Sequence, residues 1–156
     1  MKNNRESGFT LPELLVATGC VIVLIVALLF FAHPKDYAIK NRDAERWVGV
    51  AQLMQATNKY VAANGKLPDG LKSTGTAISS DTAGINLCAA FVPAYMDRLP
   101  FDPTAGIKLA YDSCYNSDSS LNDYATGYTI LRKNDGTVVI SAANAEIEAV
   151  SLSRKF

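Results

Sequence analysis

The sequence predicts an α+β fold: a long N-terminal helix, apolar all round in its first half and amphipathic in its second, packed on a small C-terminal antiparallel sheet. Three observations carry this reading. Leu14 to Ala32 is a run of nineteen residues without a charge. Beyond it, apolar residues recur every three to four positions as far as Val61, the spacing of a helix with one apolar face. Near the C-terminus, two segments rich in β-branched and aromatic residues flank Asn134-Asp135-Gly136, a hairpin signal.

The first element is long enough to cross a bilayer. Nineteen residues at about 1.5 Å each give roughly 28 Å, against a hydrocarbon thickness of about 30 Å. Lys2 and Arg5 in the hydrophilic stretch MKNNRESG keep the N-terminus cytoplasmic. A cleaved secretory signal fits less well, because its apolar core runs to only about 7–15 residues before a small-residue site. Here the core is longer, and Phe30-Phe31-Ala32-His33-Pro34 lacks a small residue two before the alanine. A plain anchor leaves Glu13 unexplained. A carboxylate costs roughly 2.5 kcal/mol or more near mid-bilayer, so Glu13 needs a partner.

Gly8-Phe9-Thr10-Leu11-Pro12-Glu13-Leu14-Leu15 resembles the class III signal of type IV pilins, type II secretion pseudopilins and competence pilins. The resemblance implies cleavage between Gly8 and Phe9 by a membrane aspartyl prepilin peptidase, with methylation of the new N-terminal Phe9. It also implies that Glu13, at the family's acidic position, pairs with the N-terminal amine of a neighbouring subunit and sets axial register during assembly. The implied fold is the pilin fold. The implied partners are further copies of the chain in a homopolymer, the peptidase, an assembly platform with its ATPase, and membrane lipid before assembly.

Two filaments stay open under this resemblance. One is a type IV pilus, with the chain as its major pilin, single-pass in the cytoplasmic membrane as a precursor and extracellular once assembled. The other is the pseudopilus of a type II secretion or competence system. The residues suit either. Gly8 lets a peptidase approach the backbone closely, Pro12 lies in the first helical turn where its missing N–H has no partner, and cleavage places an amine one turn from Glu13 in a low-dielectric setting.

The helix is expected to run from about Thr10 to Asn64. Asn64-Gly65 supplies its stop and Pro68 prevents restart. The divisions are a leader 1–8, a membrane and assembly helix 9–33, an amphipathic half 34–65 and a globular head 66–156. Pro34 removes one internal hydrogen bond and Gly19 weakens the helix. The helix is thus either continuous and kinked or, as in filaments of the family, melted between Gly19 and Pro34. Ile39, Trp47, Val50, Leu53, Met54, Tyr60 and Val61 form the expected core stripe, and the charged face from Lys35 to Arg46 reads as solvated. His33 reads as an interfacial side chain.

In the head, Leu67 to Gly84 is polar and reads as a surface loop. Ile85 to Phe91 suits a short helix ended by Val92-Pro93. The stretch from Val92-Pro93 to Asp102-Pro103 resembles the lead into the sheet of major pseudopilins and compact pilins. Ile107 to Tyr111, Tyr124 to Arg132 and Thr137 to Ala142 read as strands.

Cys20 lies in the apolar run and acts as a small apolar side chain. Cys88 and Cys114 lie where an exported chain meets oxidising conditions, and either pair or remain two buried thiols. A bond would enclose roughly 27 residues and contribute about 3.5 kcal/mol. Asp112 to Asp123 is rich in oxygen donors at a place where major pseudopilins hold calcium. Asp118 and Asp123 are the candidate ligands, but the EF-hand spacing is missing, and an ordinary solvated loop is the other reading.

Fifteen Lys and Arg balance fifteen Asp and Glu. No net field draws the chain to nucleic acid or an acidic membrane, so any such partner would need a local patch. The sequence has no phosphate-cradling glycine loop, HExxH or GxSxG element. The expectation is a non-enzymatic protein without a resident cofactor.

Overall fold

The computed structural model describes residues 8–32, 34–106, 114 and 123–156. They fall in two compact units, Met1–Ala38 and Ile39–Phe156.

The first unit is built on α1, Leu11–Ala32. Its side chains are apolar around the whole circumference and exposed, Leu15, Val16, Val23 and Leu29 among them. The hydroxyl of Thr18 donates to the carbonyls of Leu14 at 2.9 Å and Leu15 at 3.0 Å. The polar group in the apolar stretch is thereby satisfied within its own helix, as a lipid environment demands. Leu11–Phe31 is long and apolar enough to cross a membrane, with a mean hydropathy of 3.1 and none of that window buried. The stretch from Gly19 to Ala32, a candidate for melting in a filament, is helical here. His33 lies outside the described residues, so the expected single helix is observed as two segments, α1 and α2 (Pro34–Asn64).

The second unit contains most of α2, followed by β1 (Thr76–Ser79), α3 (Cys88–Phe91), β2 (Ala125–Arg132), β3 (Thr137–Ala142) and β4 (Val150–Lys155). α2 stops where expected. Gly65, at φ +68, donates its N–H to the Val61 carbonyl at 2.8 Å, a left-handed cap that suits a residue without Cβ. The strands form one antiparallel sheet in the order β1-β2-β3-β4. The expected hairpin joins β2 to β3: Lys133 N–H bonds the Thr137 carbonyl at 2.7 Å, and Asp135 accepts from the Thr137 N–H at 2.9 Å.

Alternate residues of the sheet are buried, Tyr128 and Ile130 on β2 with Val138 and Ile140 on β3. They join Val50, Leu53, Met54 and Ala56 of α2, together with Ile78, Phe91 and Leu99, in one core. Each fully buried Leu, Ile or Phe of this set contributes about 1.5–3 kcal/mol.

Several expectations are corrected. The stretch 67–84 is not wholly loop, because Thr76, Ile78 and Ser79 of β1 are buried against β2. The helix expected from Ile85 shrinks to α3, because Ile85 is held by β1 instead. Its N–H reaches the Ala77 carbonyl at 2.8 Å, and its carbonyl accepts from Ser79 at 3.2 Å. Trp47 is not core; it is 40% exposed, since the buried stripe of α2 runs through 43, 46, 50, 53 and 57. The charged face is not simply solvated either, because Asp43 and Arg46 lie on that buried stripe. β4 has no counterpart among the expected strands. The strand expected at Ile107 to Tyr111 lies outside the described residues.

Candidate functional site

The sequence singles out the junction at Gly8 and Phe9 with Glu13 behind it. Gly8, Phe9 and Thr10 precede the helix and are exposed. No atom lies within 4 Å of where a Gly8 Cβ would sit, and Phe9 is 83% exposed. Both residues of the junction are thus exposed.

Thr10 is the first residue whose carbonyl enters the helix, accepting from the Leu14 N–H at 3.1 Å. Glu13, one turn on, reaches back. Its Oε2 accepts from the Thr10 backbone N–H at 2.9 Å and from the Thr10 hydroxyl at 2.7 Å. This is one half of a capping box, in which an acidic residue three positions into the helix satisfies the donor of the cap residue. The anion also lies at the positive end of the helix dipole. The helix start is fixed at Thr10, which leaves Gly8 and Phe9 outside it. Glu13 Oε1 accepts no hydrogen bond among the described residues. Thr10-Leu11-Pro12-Glu13 carries the T-x-x-E spacing of such a cap, the signal from which this contact was legible.

In the second unit a charged cluster sits where the sequence pointed to solvent. Arg46, fully buried, donates from Nε to Asp102 Oδ2 at 2.8 Å and from NH2 to Asp102 Oδ1 at 3.3 Å. Its NH1 serves Asp43 at 2.8 Å and Glu146 at 2.9 Å, and its NH2 reaches the Thr104 hydroxyl at 2.7 Å. Asp43 in turn accepts from the backbone N–H groups of Glu146 and Ile147, and Arg42 grips Glu146 with two nitrogens at 2.7 and 2.6 Å. One guanidinium thus ties α2 to the Asp102 loop and to the β3–β4 connection.

The electrostatics follow from this geometry. Burial pushes the Asp102 carboxyl up, but Arg46 and the donors of Thr104 and Ala105 outweigh it and hold it at about 2. The Arg42 and Arg46 guanidinia hold Glu146 at about 2. Asp43 lies below the usual carboxylate range, chiefly through the Glu146 N–H, and Arg46 is raised by its bond to Asp102. The cluster is a permanently ionised fastener at neutral pH. Its members hold one another, which makes it structural rather than chemically reactive.

Cys88 and Cys114 are joined in a disulfide, with Cα atoms 5.6 Å apart, so of the two readings of these cysteines the paired one holds. Of the candidate calcium ligands, Asp118 lies outside the described residues and Asp123 is exposed. Among the described residues no group of three His, Cys, Asp or Glu is placed to hold a metal. Lys2 and Arg5 also lie outside the described residues.

No family model, curated protein or solved structure matches the chain.

Proposed function

We propose that the chain is the structural subunit of a type IV pilus, cleaved between Gly8 and Phe9 and polymerised through its N-terminal helix. The observation that carries this reading is α1 itself: an all-round apolar helix with exposed side chains, preceded by an exposed Gly8-Phe9 junction and carrying one carboxylate in its first turn. Such a helix needs an apolar surround. Lipid supplies it for the precursor, held as a single-pass protein in the cytoplasmic membrane, and neighbouring helices supply it in the filament.

Cleavage supports assembly in two ways. It removes the leader 1–8 and creates an amine at Phe9. In a neighbouring copy, Glu13 Oε1 supplies the counter-charge, while Oε2 keeps the cap on Thr10. Opposite charges attract far more strongly at the edge of an apolar phase than in water, and burying the pair serves register more than net stability. Phe9 is then the methylated N-terminus, and the peptidase, an assembly platform and its ATPase are the partners. The role is structural, not catalytic.

The test is electron microscopy of cells producing the chain alongside cells in which its gene is deleted. Surface filaments that contain the chain and vanish on deletion support the proposal. Loss of protein secretion without any surface filament would replace the pilus with a secretion pseudopilus.

A further inference from the structure

A groove of about 1020 Å³ runs along α2 in the second unit, between the helix and the segment 93–101. Its helix wall carries Asn41, Glu45, Val48, Gln52, Gln55 and Lys59, alternately four and three positions apart and therefore in one line along the helix. All six are exposed. Lys59 donates to the Tyr95 carbonyl at 3.3 Å, which ties the two walls together at one end. The floor holds Gly49 and Tyr128 of β2. A Cβ at Gly49 would collide with the Tyr128 hydroxyl, so glycine at 49 makes room for the phenol.

That hydroxyl lacks a partner. Tyr128 is 1% exposed, and its oxygen has no hydrogen bond among the described residues, whereas a buried polar atom is nearly always paired. Burial, with the Asp102 and Glu45 carboxylates nearby, pushes its pKa up to about 12. At neutral pH it therefore keeps its proton and is a donor in want of an acceptor.

The lining selects among acceptors. Carboxylates of Glu45 and Asp97 stand with the cations of Lys59 and Arg98, a mixture that suits neither a polyanion nor a polycation. Gln52 and Gln55 share the lining with Val48, Met96 and Phe101, which is too polar for an acyl chain. A saccharide stacks on open aromatic faces, but Tyr128 is buried and Tyr95 is engaged. The Tyr95 ring packs edge-on against Tyr60 at 5.5 Å, and its hydroxyl accepts from Asn64 at 2.9 Å. The primary amides of Asn41, Gln52 and Gln55 each offer a donor and an acceptor, and they make no hydrogen bond among the described residues. A peptide group offers the same two functions in the opposite sense. A helix satisfies its peptide groups internally, whereas an extended chain presents them. From Asn41 to Lys59 the wall spans roughly 27 Å at about 1.5 Å per residue, the reach of about eight extended residues.

We infer that this groove binds an extended peptide segment of another protein, about eight residues long, held through its backbone by the Tyr128 hydroxyl and the amides of Gln52 and Gln55. The inference stands apart from the pilus reading, since all of its residues lie in the second unit.

The experiment pans a phage-displayed library of random octapeptides on the full-length chain in non-ionic detergent. The most enriched peptide is then labelled and its binding measured by fluorescence anisotropy. Tyr128→Phe removes one oxygen. It is expected to bind the peptide about fivefold more weakly yet melt no lower than the unaltered chain, because the lost hydroxyl is unpaired in the free protein. Gln52→Ala/Gln55→Ala, on the exposed face, is expected to bind at least about tenfold more weakly with an unchanged melting temperature. Lys72→Ala/Lys133→Ala, outside the groove, leaves binding unchanged. The inference is overturned if no octapeptide is enriched, if either groove variant binds as well as the unaltered chain, if Tyr128→Phe melts lower, or if the control loses as much. It is also overturned if maltohexaose displaces the peptide, which would assign the groove to a glycan. A dimer in sedimentation that Gln52→Ala/Gln55→Ala dissolves would overturn it too, in favour of a second copy of the chain.

Discussion

Arg46 and Asp102, 56 positions apart in the chain, meet at 2.8 Å with neither side chain exposed to solvent. Three carboxylates, of Asp43, Asp102 and Glu146, converge on the Arg46 guanidinium. Removing that cation strands them together in a poorly solvated place. Arg46→Met is accordingly expected to cost about 3–5 kcal/mol, the range for breaking a buried pair from one side. Arg42→Met, which removes a partly exposed partner of Glu146, should cost well under half as much. Urea unfolding of the full-length chain in non-ionic detergent measures both, and equal losses would contradict the ranking.

The same cluster sets an acid limit on stability. Asp102 and Glu146 are held at about 2 in the folded chain, below their ordinary values of 3.8 and 4.5. As pH falls, the unfolded chain therefore takes up protons first, and acid favours unfolding. The contribution is complete above about pH 4.5 and declines towards pH 2. Urea midpoints taken at intervals from pH 6 to pH 2.5 should stay level down to about pH 4.5 and then fall. Arg46→Met should flatten that fall.

Gly127 and Gly65 make a matched pair for a backbone test. Both have positive φ, +80 and +68, where a side chain is strained. A Cβ at Gly127 would also lie 2.5 Å from the Asp102 Cβ, whereas nothing lies within 4 Å of one at Gly65. Gly65→Ala is expected to cost about 1 kcal/mol from the backbone alone. Gly127→Ala should cost clearly more, because it pushes Asp102 off Arg46. Thermal melting of the two variants checks the order.

One substitution separates the cap that Glu13 makes on Thr10 from its proposed pairing with an amine. Glutamine keeps an oxygen for Thr10 and so preserves the cap, but it has no charge for an amine. If charge pairing sets register, Glu13→Gln and Glu13→Ala are both cleaved after Gly8, and both give filament yields at least tenfold below normal. Normal yield from Glu13→Gln alone would assign the role to the cap instead. Quantifying sheared filaments by immunoblot reads the difference.

The parts legible in the sequence were those written in local pattern. The charge-free run to Ala32, the Asn64-Gly65 stop and the Asn134-Asp135-Gly136 hairpin each rest on neighbouring residues, and α1, the end of α2 and the β2–β3 turn stand where those signals put them. The parts that escaped depend on distant partners. Arg46 is buried only because Asp102 and Glu146 arrive from 56 and 100 positions away. The sequence puts Arg46 on the charged face of α2, and a charge there reads as solvated until its partner is known. β1 and β4 escaped because Thr-Ala-Ile-Ser and Val-Ser-Leu-Ser-Arg-Lys are short, mixed segments that gain strand character from the ladders they join. At the N-terminus the T-x-x-E spacing of Thr10 and Glu13 carries the signal for their contact, a signal that the sequence reading of Glu13 left unused.

Under the proposed function the chain is cut between Gly8 and Phe9, so that Phe9 becomes its working N-terminus. Mass spectrometry of the N-terminal peptide, from membranes and from sheared surface material, tests it most directly. In the sheared fraction the chain is expected to begin at Phe9 and to carry one methyl group on its α-amine. Assembled protein that still begins at Met1 or Lys2 would contradict it.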